Sequence, residues 1–437
     1  MTSCVVVLDD DPTGTQAVAR ARVLIDTSPG FLETWFAGHA PQPVYVSTNT
    51  RALTPAAARE MVAGVAGIAR AHWPDAKFIC RGDSTLRGHV LAEDQGLAHE
   101  TSPVLLLAPA MPAAGRITVD GRHYLVTGDH RIPVSDTEYA SDPEFGYTDS
   151  DILRWAEQRS GGVFAAARGG VVHLAELRAG GAAAVAAALA RLAGQARPAA
   201  MACDAATDAD LLLVAAGIRL AWEHGTPVVV RSAPPLAALL SGLAARGRCN
   251  APSGARRLLV VVGSYVQATT RQLTELGRRY PGQIAQADLP ALWQDRAREQ
   301  QRLTVLLEQA WEKGPVAVLA TPREKATAPP GTGLAIAAGL AGVVAALVAR
   351  PDAVIVRGGV TSALVARDGL GAREALVTGP TGPGIALWQL DGMVDGIPLL
   401  IAAGNVGQPA DLADLVDQMV GRLGPSGSAP VCTEGVR

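Results

Sequence analysis

Three carboxylates follow the first apolar run of the chain and could bind hydroxyl groups, hold a metal ion or accept a proton. The run Val5–Leu8 leads directly into Asp9, Asp10 and Asp11 in the segment VVVLDDDPTG. Three adjacent acids repel one another and fit poorly into a strand or a helix, so a single turn must carry them. Taken alone, this turn is consistent with a helix cap, a phosphatase nucleophile or a substrate anchor.

Hydroxyl, acidic and arginine side chains follow the next three apolar runs. The segments are STNTR, RGDSTLRGH and APAMPAAGR, in that order. If these runs are parallel strands, their carboxyl ends meet at one edge of the sheet, where ligands bind. Guanidinium groups suit a carboxylate or a phosphate, and aspartates accept from sugar hydroxyls or take a proton. The mixture predicts a site for a small polyhydroxy acid. Its candidate residues are Asp10, Asp11, Arg51, Arg81, Asp83, Arg87 and Arg116.

The second half of the chain carries four glycine loops. Gly263-Ser264 stands between an apolar run and a helical stretch, and Gly358-Gly359 repeats the arrangement before Thr361. The segments GPTGPG and AAGNVG add two more. Free backbone N–H groups and the dipole at a helix start attract phosphate. The sequence contains neither a P-loop nor a strand-linked G-x-G-x-x-G, so these loops predict nucleotide binding of another type.

Short runs rich in Val, Ile and Leu alternate with Ala/Leu-rich stretches of helical length. Strands that are apolar throughout and alternate with helices are typical of parallel sheets covered on both faces. The sequence therefore predicts an α/β protein of two domains, each a mainly parallel sheet flanked by helices, with the active site in the cleft between them. The predicted strands are residues 4–8, 43–47, 77–80, 103–108, 199–203, 227–231, 258–262, 316–320, 353–356 and 398–402, and the predicted helices are 54–71, 208–224, 267–280, 292–312 and 332–349.

A polar segment with Gly and Pro, residues 244–257, separates the two predicted domains. The N-terminal domain is predicted over residues 1–250 and the C-terminal domain over 251–425. The tail 426–437 is predicted to be disordered. The stretch 110–150 has weak periodicity and is predicted to form long loops.

The composition narrows the class of protein. The 437 residues carry a net charge of only -3, which argues against a nucleic-acid partner held through phosphate contacts. The odd number of cysteines, without C-x-x-C spacing, indicates reduced thiols in a cytoplasmic protein. No metal motif accompanies the histidines, so no dedicated metal site is predicted. The apolar segment 334–349 is short for a membrane span, and a buried helix is predicted instead.

The chain resembles the four-carbon acid sugar kinase family over nearly its whole length. The motifs that carry the resemblance are DDDPTG, STNTR, RGDSTLRG, APAMPAAGR, VVGSYVQATTRQ, VRGGVTSALV, GPGIALWQL and PLLIAAGNVG, in that order. The resemblance implies an N-terminal domain for the sugar acid and a C-terminal domain for ATP. It implies phosphorylation of the terminal hydroxyl of threonate, erythronate or oxo-tetronate. Mg²⁺ would arrive with the nucleotide, and a homo-oligomer remains open.

The resemblance also assigns roles to residues. The implied catalytic residues are Asp10, Asp11 and Asp83, one of which would orient or deprotonate the attacking hydroxyl. The implied substrate residues are Asp10, Asp11, Arg51, Arg81, Gly82, Asp83, Ser84, Thr85 and Arg87, and the implied ATP residues are Ser264, Gly358, Gly359, Val360, Thr361, Gly404 and Asn405.

Three positions depart from the family pattern. Family members usually carry an acid at the position of Val360, often Ser at Ala403 and often Phe at Val406. Loss of the acid would weaken the positioning of metal or nucleotide. An ATP- or metabolite-binding regulator with reduced activity is therefore one alternative.

A haloacid-dehalogenase-type phosphatase is the other alternative. Asp9-x-Asp11-x-Thr13 after an apolar strand matches the nucleophile and the acid/base of that class. Such an enzyme also needs a downstream lysine and a late acidic pair. Lys77 precedes its strand, and the late strands end in Gly-Gly and Gly-Asn. The sequence therefore favours a phosphotransferase that acts on an alcohol group.

Overall fold

The computed structural model describes residues 4–97, 103–195, 198–323, 332–392, 396–404 and 406–422. The chain divides into two compact units. The N-terminal unit comprises the chain up to Asp10 together with Thr27–Ala244, and the C-terminal unit comprises Asp11–Asp26 together with the chain from Ala245 onward. The predicted tail 426–437 and the predicted ATP residue Asn405 lie outside the described residues.

Strands and helices alternate along most of the chain. The strands are β1 Val5–Asp9, β2 Ala21–Leu24, β3 Val44–Ser47, β4 Lys77–Arg81, β5 Val104–Ala108, β6 Arg116–Val119, β7 Arg122–Thr127, β8 His130–Pro133, β9 Gly170–Val172, β10 Ala199–Cys203, β11 Val228–Ser232, β12 Leu258–Val262, β13 Ile284–Gln286, β14 Val316–Ala320, β15 Ala353–Arg357, β16 Ala372–Gly382, β17 Ile385–Gly392 and β18 Pro398–Ala402. The helices are α1 Pro29–Gly38, α2 Pro55–His72, α3 Val90–Gly96, α4 Ile152–Arg159, α5 Leu174–Ala193, α6 Asp208–Glu223, α7 Pro234–Ser241, α8 Gln267–Arg279, α9 Leu289–Gln294, α10 Arg296–Lys313, α11 Thr332–Ala346, α12 Gly359–Leu364 and α13 Asp411–Met419.

The N-terminal unit is built on a parallel sheet with the strand order β3-β1-β4-β11-β5-β10-β9. β1 lies between β3 and β4, with Val7 opposite Tyr45 and Ile79. All five residues of β1 are buried, because helices cover both faces of a parallel sheet of this kind. Asp9, the last residue of β1, and Asp10, which follows it, therefore lie beside the carboxyl ends of the two neighbouring strands β3 and β4.

The stretch predicted as long loops, 110–150, contains a small sheet, so that prediction was wrong for part of it. β6, β7 and β8 form an antiparallel meander, in which Ile117 lies opposite Tyr124 and Leu125 opposite Ile132. The strands are short and partly exposed, and polar residues interrupt their apolar alternation. Period-2 patterning is weak in such strands, which explains why the sequence did not reveal them.

The C-terminal unit has a mixed sheet with the strand order β13-β14-β12-β15-β18-β17-β16-β2. The five strands from β13 to β18 are parallel, whereas β17, β16 and β2 are antiparallel to their neighbours. The early segment Asp11–Asp26 belongs here because β2 pairs with β16, and because Trp388 Nε1 donates to Thr15 Oγ1 over 2.9 Å. A local hydrophobic pattern carries no information about the pairing of two strands that are about 350 residues apart in the chain.

Each of the ten predicted strands is present, with ends within one residue of the prediction, and the predicted α/β class is confirmed. Sequence periodicity missed β2, β13, β16 and β17 in the C-terminal unit. The single predicted helix 292–312 is two helices, because Asp295 adopts non-helical dihedral angles and its side chain caps α10. Within the described ranges, no helix combines the length and the apolar character needed to cross a membrane.

Candidate active site

The acids at the carboxyl end of β1 differ sharply in their partners. Asp9 is fully buried and forms an ion pair with Arg81 at the end of β4. Asp10 accepts from Arg51 through both carboxylate oxygens, with Nε at 3.2 Å from Oδ2 and Nη2 at 2.8 Å from Oδ1. Arg81 Nη1 lies 3.1 Å from the same Asp10 Oδ1. Two guanidinium groups thus offset the repulsion between the first two acids.

Arg51 reaches Asp10 because a sharp turn follows β3. Asn49 adopts a left-handed conformation with φ +50°, and its N–H donates to the carbonyl of Asp9 over 3.2 Å. Asparagine tolerates this conformation better than most residues because its short polar side chain bonds locally. The turn ends β3 and directs Arg51 toward Asp10 at the end of β1, whereas the Thr50 hydroxyl donates to Glu93 Oε1 over 2.7 Å.

The loop after β4 forms a second charged cluster. Arg87 Nε donates to Asp83 Oδ2 over 2.7 Å, and the Thr85 hydroxyl donates to the same oxygen. Burial opposes ionisation of Asp83, but the charges of Arg87 and Arg51 outweigh it and hold the pKa of this carboxyl well below its usual range. Asp83 is therefore a carboxylate at physiological pH and a weak base.

Two buried residues that the sequence did not single out for this loop hold its backbone. His123 on β7 places Nε2 2.9 Å from the carbonyl oxygen of Ser84 and Nδ1 3.0 Å from the hydroxyl of Thr118. Because a carbonyl only accepts, Nε2 carries the proton and Nδ1 accepts. Burial lowers the pKa of His123 to about 4, so the ring is neutral. The Tyr147 hydroxyl donates to the carbonyl of Thr85 over 2.8 Å.

Arg231 on β11 is the third such residue. It is 6% exposed and forms an ion pair with Glu93 of α3. A Cβ atom on Gly88 would lie 2.5 Å from Nη2 of Arg231, and Gly88 has φ +120°, so only glycine fits there. Gly82 also packs on this guanidinium. The signal available in the sequence was a charged residue near the end of a strand, in VVVRS, but its partners are far away in the chain.

In the C-terminal unit, three glycine loops meet at Ser264, which follows β12. A side chain at Gly404 would collide with Ser264 Oγ, and a Cβ on Gly358 would lie 3.5 Å from the Ser264 Cβ. A side chain at Gly263 would collide with the hydroxyl of Thr361. Gly358 has φ +119°, a conformation that glycine alone adopts readily. The structure therefore brings together the predicted ATP residues Ser264, Gly358, Thr361 and Gly404.

The Asp11 carboxylate lies beside this glycine cluster, within the C-terminal unit. Its Oδ1 accepts from Thr13 N over 2.9 Å and from the Thr13 hydroxyl over 2.7 Å. The same carboxylate lies against Gly359 at the start of α12, where any side chain would collide with it. Val360 follows Gly359 and is half-buried. A carboxylate from the other end of the chain is thus present one residue away from Val360.

Arg357, the last residue of β15, was not among the predicted site residues. It is 3% exposed and donates to Thr269 Oγ1 over 3.3 Å and to the carbonyl of Gly404 over 3.4 Å. It also donates to the carbonyl of Val406. Burial lowers the pKa of Arg357 to about 10. Arg357 therefore holds the loop around Gly404 and places a buried positive charge beside it.

Among the described residues, one cluster outside these two regions has the spacing of a metal site. Ligand atoms of Asp120, His173 and Asp204 lie within 4.8 Å of one another. The Asp204 carboxylate already accepts three backbone N–H groups, from Asp120, Gly121 and Leu174, at 2.8 to 3.1 Å. These hydrogen bonds satisfy the buried Asp204 carboxylate, which therefore serves to anchor two loops.

These features define a two-domain α/β protein with a polar, acid- and arginine-lined sheet edge in one unit and a glycine-lined nucleotide-type site in the other. Residues 5–240 match the sequence model of the sugar-binding N-terminal domain, and residues 259–412 match that of the nucleotide-binding C-terminal domain. The chain belongs to the four-carbon acid sugar kinase family, whose architecture combines these two domains.

Solved structures share the fold over nearly the whole chain. A Salmonella typhimurium LT2 protein, provisionally named a tRNA synthase, has a TM-score of 0.67 at 20% identity, covering 94% of this chain and 98% of its own. The Haemophilus influenzae protein HI1011 has a TM-score of 0.63 at 19% identity, covering 95% of this chain and 100% of its own. No curated protein matches the sequence.

Proposed function

We propose that the protein transfers the terminal phosphoryl group of ATP to the terminal hydroxyl of a four-carbon sugar acid of the threonate, erythronate or oxo-tetronate type. The observation that carries this proposal is the presence of two chemically different clusters in two units. Acids and arginines line the sheet edge around Asp10 in the sugar-binding part, and glycine loops meet at Ser264 in the nucleotide-binding part. A sugar acid and a nucleotide require these two chemistries.

Three arginines of the N-terminal cluster differ in the solvent exposure of their side chains. The side chains of Arg51 and Arg87 are 15% and 24% exposed, whereas that of Arg81 is 3% exposed. Arg51 and Arg87 can therefore contact a substrate carboxylate while remaining paired with Asp10 and Asp83. Arg81 is a positioning residue that neutralises Asp9 and Asp10.

Phosphoryl transfer depends on positioning and charge neutralisation more than on a strong base. This requirement fits Asp83, whose lowered pKa makes it a poor proton acceptor but a good hydrogen-bond acceptor. We therefore assign Asp10 and Asp83 to binding and orienting substrate hydroxyls. As the acceptor oxygen bonds to the γ-phosphorus and the bond to the ADP oxygen breaks, positive charge develops on the acceptor oxygen. Its proton then becomes strongly acidic, so that even a weakly basic carboxylate such as that of Asp83 would accept it late in the reaction.

The C-terminal unit would bind the phosphates through the backbone N–H groups of its glycine loops. Asp11 supplies a carboxylate oxygen beside Gly359, the type of ligand that Mg²⁺ prefers. Asp11 is thus the residue we propose to hold the metal that accompanies ATP, and when bound the metal would neutralise phosphate charge. This position also compensates for the absence of an acid at Val360.

A coupled assay of ADP release across both threonates, both erythronates and their oxo forms tests the proposal. We expect ADP formation above the ATPase background with at least one acid, and a loss of roughly 100-fold or more in Asp11→Asn. Absence of ADP formation across the whole panel, or unchanged turnover in both Asp11→Asn and Asp83→Asn, would refute it.

Val360 favours a second candidate, a regulator that binds ATP or a metabolite without turnover. Stabilisation of the protein by ATP in thermal unfolding, together with no ADP release over the panel, would support that function. The phosphatase alternative conflicts with the structure, because Asp9 is fully buried and paired with Arg81 and cannot reach a phosphoester. Phosphate release from phosphoesters without ATP would revive it.

A further inference from the structure

Arg323 lies beside the glycine cluster, although neither its sequence motif nor the family resemblance marks it. It follows β14 by three residues, and β14 is the neighbour of β12, the strand that Ser264 follows by two residues. Arg323 Nη2 donates to the carbonyl of Ser264 over 2.8 Å and to the hydroxyl of Thr321 over 3.2 Å. The guanidinium carbon lies 5.4 Å from the centre of the Tyr265 ring. These contacts fix the guanidinium group at Ser264.

The rest of the Arg323 guanidinium is shielded from solvent and unsatisfied. Nε and Nη1 are buried and have no hydrogen-bond partner among the residues that the structure describes. Within the same residues, no carboxylate lies within ion-pair distance of Arg323. Burying donors of a charged group without acceptors costs free energy, so such an arrangement is typical of a site that is completed by a ligand.

Arg357 reinforces this argument from the other side of β12. β15 also pairs with β12, and Arg357 is buried without a carboxylate in ion-pair distance, within the described part of the chain. Its Nε donates to the Thr269 hydroxyl and its Nη2 to two carbonyl groups, so these two nitrogens are occupied and the guanidinium adds positive charge beside Ser264. Two arginines thus flank Ser264, and among the described residues neither has a carboxylate within ion-pair distance, although the charge of Asp411 acts on Arg357. A bound anion would supply the counter-charge that Arg323 lacks among these residues.

We propose that Arg323 contacts the phosphate groups of the nucleotide at Ser264 through Nε and Nη1, with Arg357 contributing positive potential to the same phosphates. This inference rests on nucleotide binding by the C-terminal unit and names a residue of that site. The planar guanidinium, held at one end by Ser264 and Thr321, presents its remaining donors in a fixed orientation to phosphate oxygens.

Calorimetric titration of the full-length chain with ATP, ADP and adenosine tests the proposal. The variants are Arg323→Gln, Arg323→Lys and the control Arg278→Gln, whose side chain is 75% exposed at the far end of α8. We expect Arg323→Gln to weaken ATP and ADP binding roughly tenfold or more, with adenosine binding unchanged. Arg323→Lys keeps the charge but not the planar donors, so its ATP affinity should fall between those of the wild type and Arg323→Gln.

The outcomes separate this inference from the proposed function. Wild-type binding of ATP with Arg323→Gln within twofold of it would overturn the role of Arg323 alone. An equal loss for ATP and adenosine would also overturn it, because the residue would then support the fold of the site and not the phosphates. Failure of the wild-type protein to bind any of the three ligands would overturn both proposals.

Discussion

The carboxylate of Asp11 lies against the backbone of Gly359, the first residue of α12. The last acid of the DDD motif therefore shares a compact unit with the glycine loop that follows β15, whereas Asp10 belongs to the unit that carries Arg51. One short turn thus contributes an acid to each of the two compact units. The roles of Asp10 and Asp11 should consequently separate in experiments that measure the binding of each ligand alone.

Replacement of Gly359 tests this contact directly. In Gly359→Ala the new methyl group collides with the Asp11 carboxylate, so we expect ATP affinity to fall about tenfold and the free energy of unfolding to fall by roughly 1–3 kcal/mol. Gly64→Ala is the matched control, because a Cβ there meets no atom within 4 Å and alanine favours the middle of α2. The double variant Asp11→Ala/Gly359→Ala should recover stability but not ATP affinity. A Gly359→Ala protein as stable and active as Gly64→Ala would contradict the contact.

Asp83 should leave no trace in the pH profile of turnover between pH 5 and 9. The charges of Arg87 and Arg51 hold its pKa well below the usual range, so it remains ionised throughout this interval. A depressed pKa contributes stability above the unfolded-state pKa of about 3.9, and this stability is lost as the pH falls further. Urea unfolding at pH 3 to 7 should show a smaller loss below pH 4 for Asp83→Asn than for the wild type. A decrease in wild-type turnover near pH 5 that is absent from Asp83→Asn would contradict this assignment.

We expect His123 to make stability depend on pH in a higher range than Asp83 does. Its pKa falls from an ordinary value of about 6.5 to about 4 in the folded protein, because burial disfavours the charged ring. Between these values the unfolded chain binds a proton that the folded protein does not, so stability decreases as the pH falls from about 6.5 to about 4. The expected loss is roughly 3 kcal/mol.

The matched variant His123→Gln cannot titrate, and its amide can still donate to the Ser84 carbonyl. Its free energy of unfolding should lack this decrease between pH 6.5 and 4. The same steep decrease in His123→Gln and in the wild type would show that another group is responsible.

Because Arg231 and Glu93 form a buried ion pair, we expect the effects of substituting each of them on the free energy of unfolding to be strongly non-additive. Arg231→Met leaves the carboxylate of Glu93 buried without its partner, so the free energy of unfolding should fall by about 3–5 kcal/mol. The double variant Arg231→Met/Glu93→Gln removes both charges and should recover a large part of this loss. Chemical unfolding of the two single variants and the double variant measures the coupling. Losses that simply add would mean that the pair does not act as a unit.

Val360→Asp tests whether the missing family acid limits activity. We expect turnover to rise several-fold if Asp11 alone replaces that acid incompletely, because a second carboxylate would improve metal positioning. Val360→Asn is the control for size and polarity. The ADP-release assay with the best substrate compares the two variants. Equal rates for Val360→Asp, Val360→Asn and the wild type would indicate that Asp11 already suffices.

The sequence by itself determined the strands and the chemistry at their ends. Apolar runs that end in polar residues are local signals, so the ten main strands and the clusters around Asp10, Asp83, Ser264 and Gly358 could be read directly. The roles of these residues remain proposals. Strands with mixed or interrupted patterns, such as β6 and β16, do not give that signal.

Only the tertiary structure decided which residues meet. Arg231 reaches Glu93 across 138 residues of chain, and Asp11 reaches Gly359 across a still longer separation. Arg323 became a candidate only when two of its nitrogens proved buried and unsatisfied among the described residues. Hydrophobic periodicity reports which face of an element is buried, but ion pairs, close backbone approaches and unmet donors depend on the packing of elements that are distant in sequence.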